Sequence, residues 1–154
     1  MSSTDSGELF DLYREVLLDH SKRPRHRGRP EAADREAEGY NPLCGDRIRV
    51  YLAVTRDTID DAGFDGEACA VCTASASVMT DAVIGATNDE ARALFDRFRH
   101  MLAGDESRAK LDDTELAAFG GVRRFPMRVK CATLPWHTLI AAINGTTTSV
   151  STEA

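Results

Sequence analysis

The four cysteines constrain this chain most, because they stand in three separate stretches of sequence. Cys44 is alone, Cys69 and Cys72 are three residues apart, and Cys131 comes much later. The Pro, Gly and helix patterns around them place each thiol at the end of a helix or strand, where different segments can converge. Such a set indicates either two disulfides in a secreted protein or a metal or reactive-thiol site in a cytosolic one.

The rest of the sequence favours the second interpretation. Residues Met1–Asp5 show no basic region followed by an apolar run, so we expect no secretory signal. Apolar stretches such as Leu139–Ile143 are too short to cross a bilayer. We therefore expect a cytoplasmic protein that does not act on a membrane.

Length and composition bound the architecture. With 154 residues, 42% of them hydrophobic, the chain can bury a core without needing a metal or disulfides to fold. We expect a single domain over residues 1–145 and a disordered tail over residues 146–154. The net charge of −6 argues against general nucleic-acid binding.

The order of the predicted elements indicates an α+β domain. Alternating apolar residues predict a strand over Arg47–Thr55, a turn at Arg56 and Asp57, and a second strand over Thr58–Phe64. The helical patterns cover Gly7–His20, Thr73–Gly85, a helix capped by Thr87 and Glu90, a short helix Thr114–Phe119, and Thr133–Asn144. Pro135 is tolerated only in a first turn, which favours Thr133 as the last N-cap.

The local context of the cysteines suggests several sites. Cys44 lies in a tight loop before a strand, and Asp46 shares its side of the chain if that loop is extended. Cys69 and Cys72 lie before the second helix, and Cys131 lies just before the last one. Zinc takes four thiolate, imidazole or carboxylate ligands. A site of four thiolates, a site that includes Asp46 and a set of buried unliganded thiols all remain open. A redox pair at Cys69 and Cys72 is less favoured, because no βαβ pattern flanks it.

Three ordered motifs resemble the IscU/NifU-like family of iron–sulfur cluster assembly proteins. The loop Asn41–Asp46 resembles the family's NPxCGD motif. Gly66–Cys69 followed by Ala74–Thr80 resembles its GxxC and ASAS(M/V)MT segment, and Arg128–Trp136 resembles RxKCATLxW. The third motif and the additional segment Asp105–Val122 are typical of the SufU branch. The resemblance extends from about Leu12 to Ile143.

The resemblance implies a fold, a function and a site. The fold would be α+β, with a small three-stranded antiparallel sheet packed against helices. The protein would be a zinc-dependent sulfurtransferase that accepts persulfide sulfur from a SufS-type cysteine desulfurase and relays it to the downstream iron–sulfur assembly machinery. By motif position the zinc ligands would be Cys44, Asp46, Cys69 and Cys131. Cys44 would be the sulfur acceptor, released when a histidine of the partner takes its place.

Other residues depart from the motifs or stand beside them. Cys72 occupies a position that is usually small and polar, and it is an alternative fourth ligand or a bystander. Arg128 and Lys130 could stabilise the nearby thiolates, or could be ordinary solvated cations. The residue before Cys131 is Lys130, where the scaffold branch has a histidine. The histidines His20, His26, His100 and His137 match no ligand position.

Two other functions remain open, and one basic segment has no assigned role. A non-enzymatic scaffold carrying iron or a transient iron–sulfur cluster is the main alternative, and a structural zinc module is another. The basic segment Lys22–Arg29 is predicted to be a loop. It could contact an acidic face of a desulfurase, but a solvated loop is favoured.

Overall fold

The computed structural model describes residues 14–105, 114–145 and 150–151. Residues 14–22 form the described part of helix α1, so the predicted first helix is confirmed there and continues two residues past His20. The predicted residues Gly7–Tyr13 lie outside the described residues. In the part of the chain that the structure covers, no helix is both long and apolar enough to span a bilayer.

A three-stranded antiparallel meander forms the centre of the fold. It consists of β1 (Arg35–Asn41), β2 (Asp46–Thr55) and β3 (Thr58–Glu67). The spatial order is β3-β2-β1-β4, in which the two-residue strand β4 (Val150–Ser151) pairs in parallel with β1. The predicted α+β class and three-stranded sheet are confirmed, and β4 is an addition that lies within the predicted tail. The other tail residues are outside the described part of the chain.

Local sequence signals located β2 and β3 but not β1. The predicted turn joins β2 to β3 with both Arg56 and Asp57 in the left-handed region, at φ 52° and 64°, as in a two-residue hairpin turn. The sequence does not predict β1, because the buried positions of this strand are the small or polar residues Ala37, Gly39 and Asn41. Such a strand shows no alternation of large apolar side chains.

Within the described residues, four further α-helices follow the three-stranded meander. These are α2 (Ala70–Val83), α3 (Asn88–Leu102), the short α4 (Thr114–Ala117) and α5 (Pro126–Ile143), with a 3₁₀ helix (Ala118–Arg124) between the last two. The predicted capping box of α3 is present, because Thr87 accepts from the N–H of Glu90 while the Glu90 carboxylate accepts from the N–H of Thr87. The predicted helix Thr114–Phe119 is one α-helical turn that continues as the 3₁₀ helix.

The predicted start of the last helix is wrong. α5 begins at Pro126 rather than after Thr133, and Pro135 lies inside it. Cys131 is therefore within a helix, not before one. An internal proline removes one backbone hydrogen bond, but the burial of Leu134, Trp136 and Leu139 offsets that loss.

The predicted start of α2 is also displaced. The helix begins at Ala70 instead of Thr73, and Cys69 is its N-cap. Cys72 consequently lies in the first helical turn and is fully buried. Most residues of α2 are buried, so the helix lacks the one-sided apolar stripe by which a surface helix is recognised in a sequence.

Helix α5 packs directly on the sheet at Gly39. A β-carbon there would lie 3.0 Å from Cδ1 of Leu134 and 3.3 Å from Cβ of Thr138. On its other side α5 carries Trp136, whose ring stacks on Phe95 and Phe98 of α3. The close approach at Gly39 sets the distance between α5 and β1.

The basic segment Lys22–Arg29 is more ordered than a solvated loop. The N–H of Gly28 donates to the carbonyl of Phe64 at 2.7 Å, and the N–H of Phe64 donates to the carbonyl of His26 at 3.1 Å. His20, just before the segment, is buried between Ser77 and Glu115. The segment therefore covers the outer edge of β3.

Candidate metal centre

The loop between β1 and β2 presents Cys44 at the surface. Its residues Pro42–Gly45 are all exposed, whereas Asn41 and Asp46 on either side are buried. The N–H of Gly45 donates to the carbonyl of Asn41 at 2.8 Å, which closes the turn. Gly45 has φ +73°, a conformation that glycine adopts without strain. A tight turn thus holds an exposed thiol between two buried polar side chains.

Asp46 joins the start of β2 to the start of α2. Arg47 pairs with Glu67 in the sheet, which brings the end of β3 beside Asp46. Its Oδ1 accepts from the N–H of Cys69 at 2.7 Å, and its Oδ2 lies 3.6 Å from the Cys69 sulfur. The carboxylate is only 2% exposed, so these two contacts replace water.

Cys131 approaches the same place from α5. Its Sγ lies 3.5 Å from the Sγ of Cys44 and 3.8 Å from Nδ2 of Asn41. Ligand atoms of Cys44, Asp46 and Cys131 all lie within 4.8 Å of one another, so these three residues could hold a metal ion and are called here the metal-ligating group. Three segments that are distant in sequence therefore converge on one point, as the positions of the cysteines suggested.

Cys69 and Cys72 have different surroundings although they are three residues apart. Cys69 is half-buried, and its sulfur accepts from the N–H of Cys72 at 3.5 Å as the N-cap of α2. The Cys72 side chain is fully buried in the core. Cys69 touches the metal-ligating group through Asp46, whereas Cys72 lies behind it.

The thiols differ in acidity. The neighbouring Cys131 thiol lowers the pKa of Cys69 to about 7, helped by backbone N–H groups of α2 and opposed by burial. The Cys69 thiolate in turn raises the pKa of Cys131, and burial adds to that shift. Burial, together with the charges of Asp46 and the other thiols, raises the pKa of Cys72 well above its usual value. Cys69 is the thiol that ionises first in the metal-free pair.

The donor set fits a zinc ion. Zinc accepts thiolates and a carboxylate, with Zn–S bonds of about 2.3 Å, so two tetrahedral sulfur ligands lie about 3.8 Å apart and a sulfur and an oxygen about 3.6 Å. The observed separations are 3.5 Å for Cys44 and Cys131 and 3.6 Å for Cys69 and Asp46. Both separations are compatible with ligands of one ion, and Cys69 lies beside the group formed by Cys44, Asp46 and Cys131.

Two further predicted site residues, Arg128 and Lys130, lie on α5 shortly before Cys131. Arg128 is exposed on α5, and Lys130 is half-buried immediately before Cys131. Among the described residues, the metal-ligating group comprises Cys44, Asp46 and Cys131 and does not include Cys72 or a histidine. The residue that the sequence analysis missed is Asn41, whose side chain contacts Cys131 and whose Oδ1 accepts from the N–H of Leu43. Asn41 could have been found from the sequence, because it is the first residue of the Asn41–Asp46 motif.

Comparison with known proteins identifies relatives with two different names. The family described as NifU-like N terminal domain matches residues 12–144. The iron–sulfur cluster assembly scaffold protein IscU of Streptococcus pyogenes serotype M1 is 43% identical over 89% of this chain and 86% of its own length. The zinc-dependent sulfurtransferase SufU of Bacillus subtilis strain 168 is 40% identical over 87% of this chain and 90% of its own length.

A solved structure agrees with these relatives. The N-terminal part of a NifU-like protein from Brucella abortus superposes with a TM-score of 0.75 at 28% identity, covering 88% of this chain and 94% of its own. The family match, the two relatives and the superposition each span most of the chain. The chain therefore belongs to the NifU-like N-terminal domain family, whose relatives include proteins named IscU and SufU.

Proposed function

We propose that this protein is a zinc-dependent sulfurtransferase that works with a SufS-type cysteine desulfurase and supplies sulfur to iron–sulfur cluster assembly. Cys44 would be the acceptor. Its thiolate attacks the terminal sulfur of the desulfurase persulfide. One S–S bond forms on Cys44, the donor's S–S bond breaks, and the donor cysteine leaves as a thiolate.

The observation that carries this proposal is the contrast in exposure within the site. Cys44 is exposed on a tight turn, while Asp46 and Cys131 are 2% and 1% exposed. An acceptor must reach a sulfur that is carried by another protein, and Cys44 is the most exposed of the cysteines in the site.

Cys44, Asp46, Cys69 and Cys131 would hold the zinc ion in this proposal. Bound zinc would keep its cysteine ligands deprotonated at neutral pH. The Bacillus subtilis relative, named zinc-dependent, supports zinc rather than iron. Asn41 would orient Cys131 through its amide group.

Two cations and the cellular location belong to the same proposal. Arg128 precedes Cys131 by three residues, which puts both on one face of α5, and Lys130 adjoins it. Their positive charges would favour thiolates and an approaching persulfide. We also propose a cytoplasmic location, where a reducing environment keeps cysteines as the free thiols that such a site requires.

A desulfurase assay tests the acceptor. We expect the zinc-loaded protein to stimulate a SufS-type desulfurase and Cys44→Ser to abolish the stimulation. Cys72→Ser, which changes a cysteine outside the metal-ligating group, should retain it. After turnover without reductant, the tryptic peptide 36–47 should gain one sulfur atom. Stimulation by Cys44→Ser equal to that of the unaltered protein would refute the assignment.

The scaffold function is the second candidate, because the Streptococcus pyogenes relative bears that name. The same pocket of thiols would then carry a cluster. Anaerobic incubation with iron and sulfide separates the two functions. A stable coloured cluster that passes to an apo-protein would favour the scaffold, whereas retention of zinc without colour would favour sulfur transfer.

A further inference from the structure

The pair Cys69 and Cys72 has a feature that neither zinc binding nor sulfur transfer uses. Cys69 stands outside α2 as its N-cap, with an extended backbone at φ −66° and ψ 168°, and Cys72 lies in the first turn. The N–H of Cys72 is directed at the Cys69 sulfur at 3.5 Å. The two residues are therefore adjacent in space and differ in the element to which they belong.

Their exposure differs in a way that assigns them different roles. Cys69 is half-buried, so a small solute can reach its sulfur. Cys72 is 0% exposed and packs in the core. Of these two thiols, a soluble oxidant would therefore reach Cys69 before Cys72, and Cys72 could respond only from within the protein.

Cys72 is also the one cysteine that neither belongs to the metal-ligating group nor contacts it through Asp46. Cys44 and Cys131 belong to the metal-ligating group, and Cys69 contacts that group through Asp46. Cys72 lies behind the group, in the core. It can act on Cys69 without having to leave a ligand position itself.

We propose that Cys69 and Cys72 form a reversible disulfide when a hydroperoxide oxidises Cys69, so that Cys72 resolves the oxidised residue. The Cys69 sulfur takes the terminal oxygen of the hydroperoxide to become a sulfenic acid, and the hydroperoxide is reduced to an alcohol or water. The Cys72 sulfur then attacks the Cys69 sulfur. One S–S bond forms, the S–O bond breaks, and the oxygen leaves as water with the thiol proton.

The local geometry allows this bond with a small adjustment. Side chains three residues apart in a helix have β-carbons about 5–6 Å apart, whereas a disulfide needs about 3.5–4.5 Å. Cys69 is outside the helix, and its backbone is held by Asp46, which accepts from its N–H at 2.7 Å, and by Thr73, whose N–H donates to its carbonyl at 2.9 Å. Closure would therefore come from rotation of the Cys69 and Cys72 side chains about their Cα–Cβ bonds.

The bond would also change metal binding. Cys69 would lose its thiolate, and three ligands would remain in Cys44, Asp46 and Cys131. Oxidation is expected to release zinc, and a dithiol reductant is expected to restore the original stoichiometry. Metal retention would thereby depend on the redox state of a residue pair beside the acceptor.

Peptide mapping tests the proposal directly on the zinc-loaded full chain. Trypsin is expected to place Cys44 in peptide 36–47, Cys69 and Cys72 together in peptide 57–92, and Cys131 in peptide 131–154. After treatment with a stoichiometric amount of hydrogen peroxide, we expect peptide 57–92 to be lighter by two hydrogen atoms and to resist alkylation. Zinc release, followed with a chromogenic chelator, should track this change.

The competing pair is Cys44 and Cys131, whose sulfurs are 3.5 Å apart. Cross-linking of peptides 36–47 and 131–154 while peptide 57–92 keeps two alkylatable thiols would overturn the proposal. So would any cross-link between Cys69 and Cys131.

Two variants separate the chemistry from a folding defect. Cys72→Ser and Cys72→Ala should bind one zinc per chain when reduced, which shows that they fold. Under excess peroxide both should lose zinc irreversibly, because a second peroxide molecule oxidises the unresolved sulfenic acid of Cys69 to sulfinic acid. Recovery of zinc by either variant on reduction, equal to that of the unaltered protein, would show that Cys72 is not the resolving residue. None of these readouts depends on sulfur transfer.

Discussion

Replacing Gly39 by alanine should separate α5 from the sheet and disturb the metal centre from a distance. The new β-carbon would lie 3.0 Å from Cδ1 of Leu134 and 3.3 Å from Cβ of Thr138, both shorter than ordinary contacts, which begin at 3.4 Å, and closer still to Oγ1 of Thr138. Thr138 cannot simply rotate away, because its hydroxyl donates to the carbonyl of Leu134 at 2.7 Å. Either that bond breaks or α5 moves outward.

The expected cost follows from these two contacts. Overpacking a tight interior costs about 1–3 kcal/mol, and loss of the buried hydroxyl bond adds about 1 kcal/mol. We therefore expect Gly39→Ala to lower the free energy of unfolding by about 2–4 kcal/mol. Because α5 carries Cys131 and β1 leads to Cys44, zinc affinity should fall as well.

Urea unfolding of the metal-free protein measures the first effect, and competition with a chromogenic chelator measures the second. Gly120→Ala is the matched control, since its β-carbon would meet only the Met101 sulfur at 3.9 Å. Thr138→Ala should relieve part of the clash, so the double variant should be more stable than the sum of the single costs predicts. Strictly additive costs, or a Gly39→Ala protein as stable as the control, would refute the packing argument.

Three further predictions concern the site and its supports. Asn41→Ala removes the amide beside Cys131 and should weaken zinc binding by roughly 10–100-fold in a chelator competition; unchanged affinity would show that the amide does not support Cys131. The raised pKa of Cys72 keeps its thiol protonated in the folded state while the unfolded thiol ionises above about pH 8.5. Stability of the metal-free protein should thus fall with pH there, by up to about 1.4 kcal/mol per unit from this group, and Cys72→Ser should flatten the urea-unfolding profile. Thr87→Ala should cost about 0.5–2 kcal/mol through loss of the α3 cap and leave zinc affinity unchanged; a change in affinity would link α3 to the site.

Predictions that rest on short-range patterns are confirmed by the structure. The β2 strand, the Arg56–Asp57 turn and the Thr87 capping box each depend on residues a few positions apart. The motif loop before β2 is also where it was predicted. In each case local chemistry and tertiary structure favour the same conformation.

Errors arose where burial outweighed a local rule. β1 uses Ala37 and Gly39 at its inner positions because α5 lies directly against them, and that demand is invisible before α5 is placed. Pro135 was expected near a helix start, yet α5 extends through it inside the core. The same misplacement put Cys131 outside a helix.

The centre itself was only partly predictable from residue types. Without the family resemblance, the residue types favour a site of four thiolates that includes Cys72 over a site with Asp46. The register that pairs Arg47 with Glu67 brings Asp46 to the N–H of Cys69, and the N-cap position of Cys69 sends Cys72 into the core. The strand register and the start of α2 depend on the packing of the whole domain. The spacing of the cysteines alone therefore could not decide between the four-thiolate site and the site with Asp46.

The Ser75 hydroxyl determines which parts of the centre can move. It donates to the carbonyl of Ala132 at 2.5 Å and accepts from the Trp136 indole at 3.2 Å, so it clamps the helix that starts after Cys69 to the helix that holds Cys131. These bonds couple the position of Cys69, at the start of α2, to that of Cys131, whereas Cys44 lies outside them on a four-residue turn. The proposed sulfur hand-over would then require movement of that turn, on the ns–μs scale of loop motion, and no rearrangement of the core behind it.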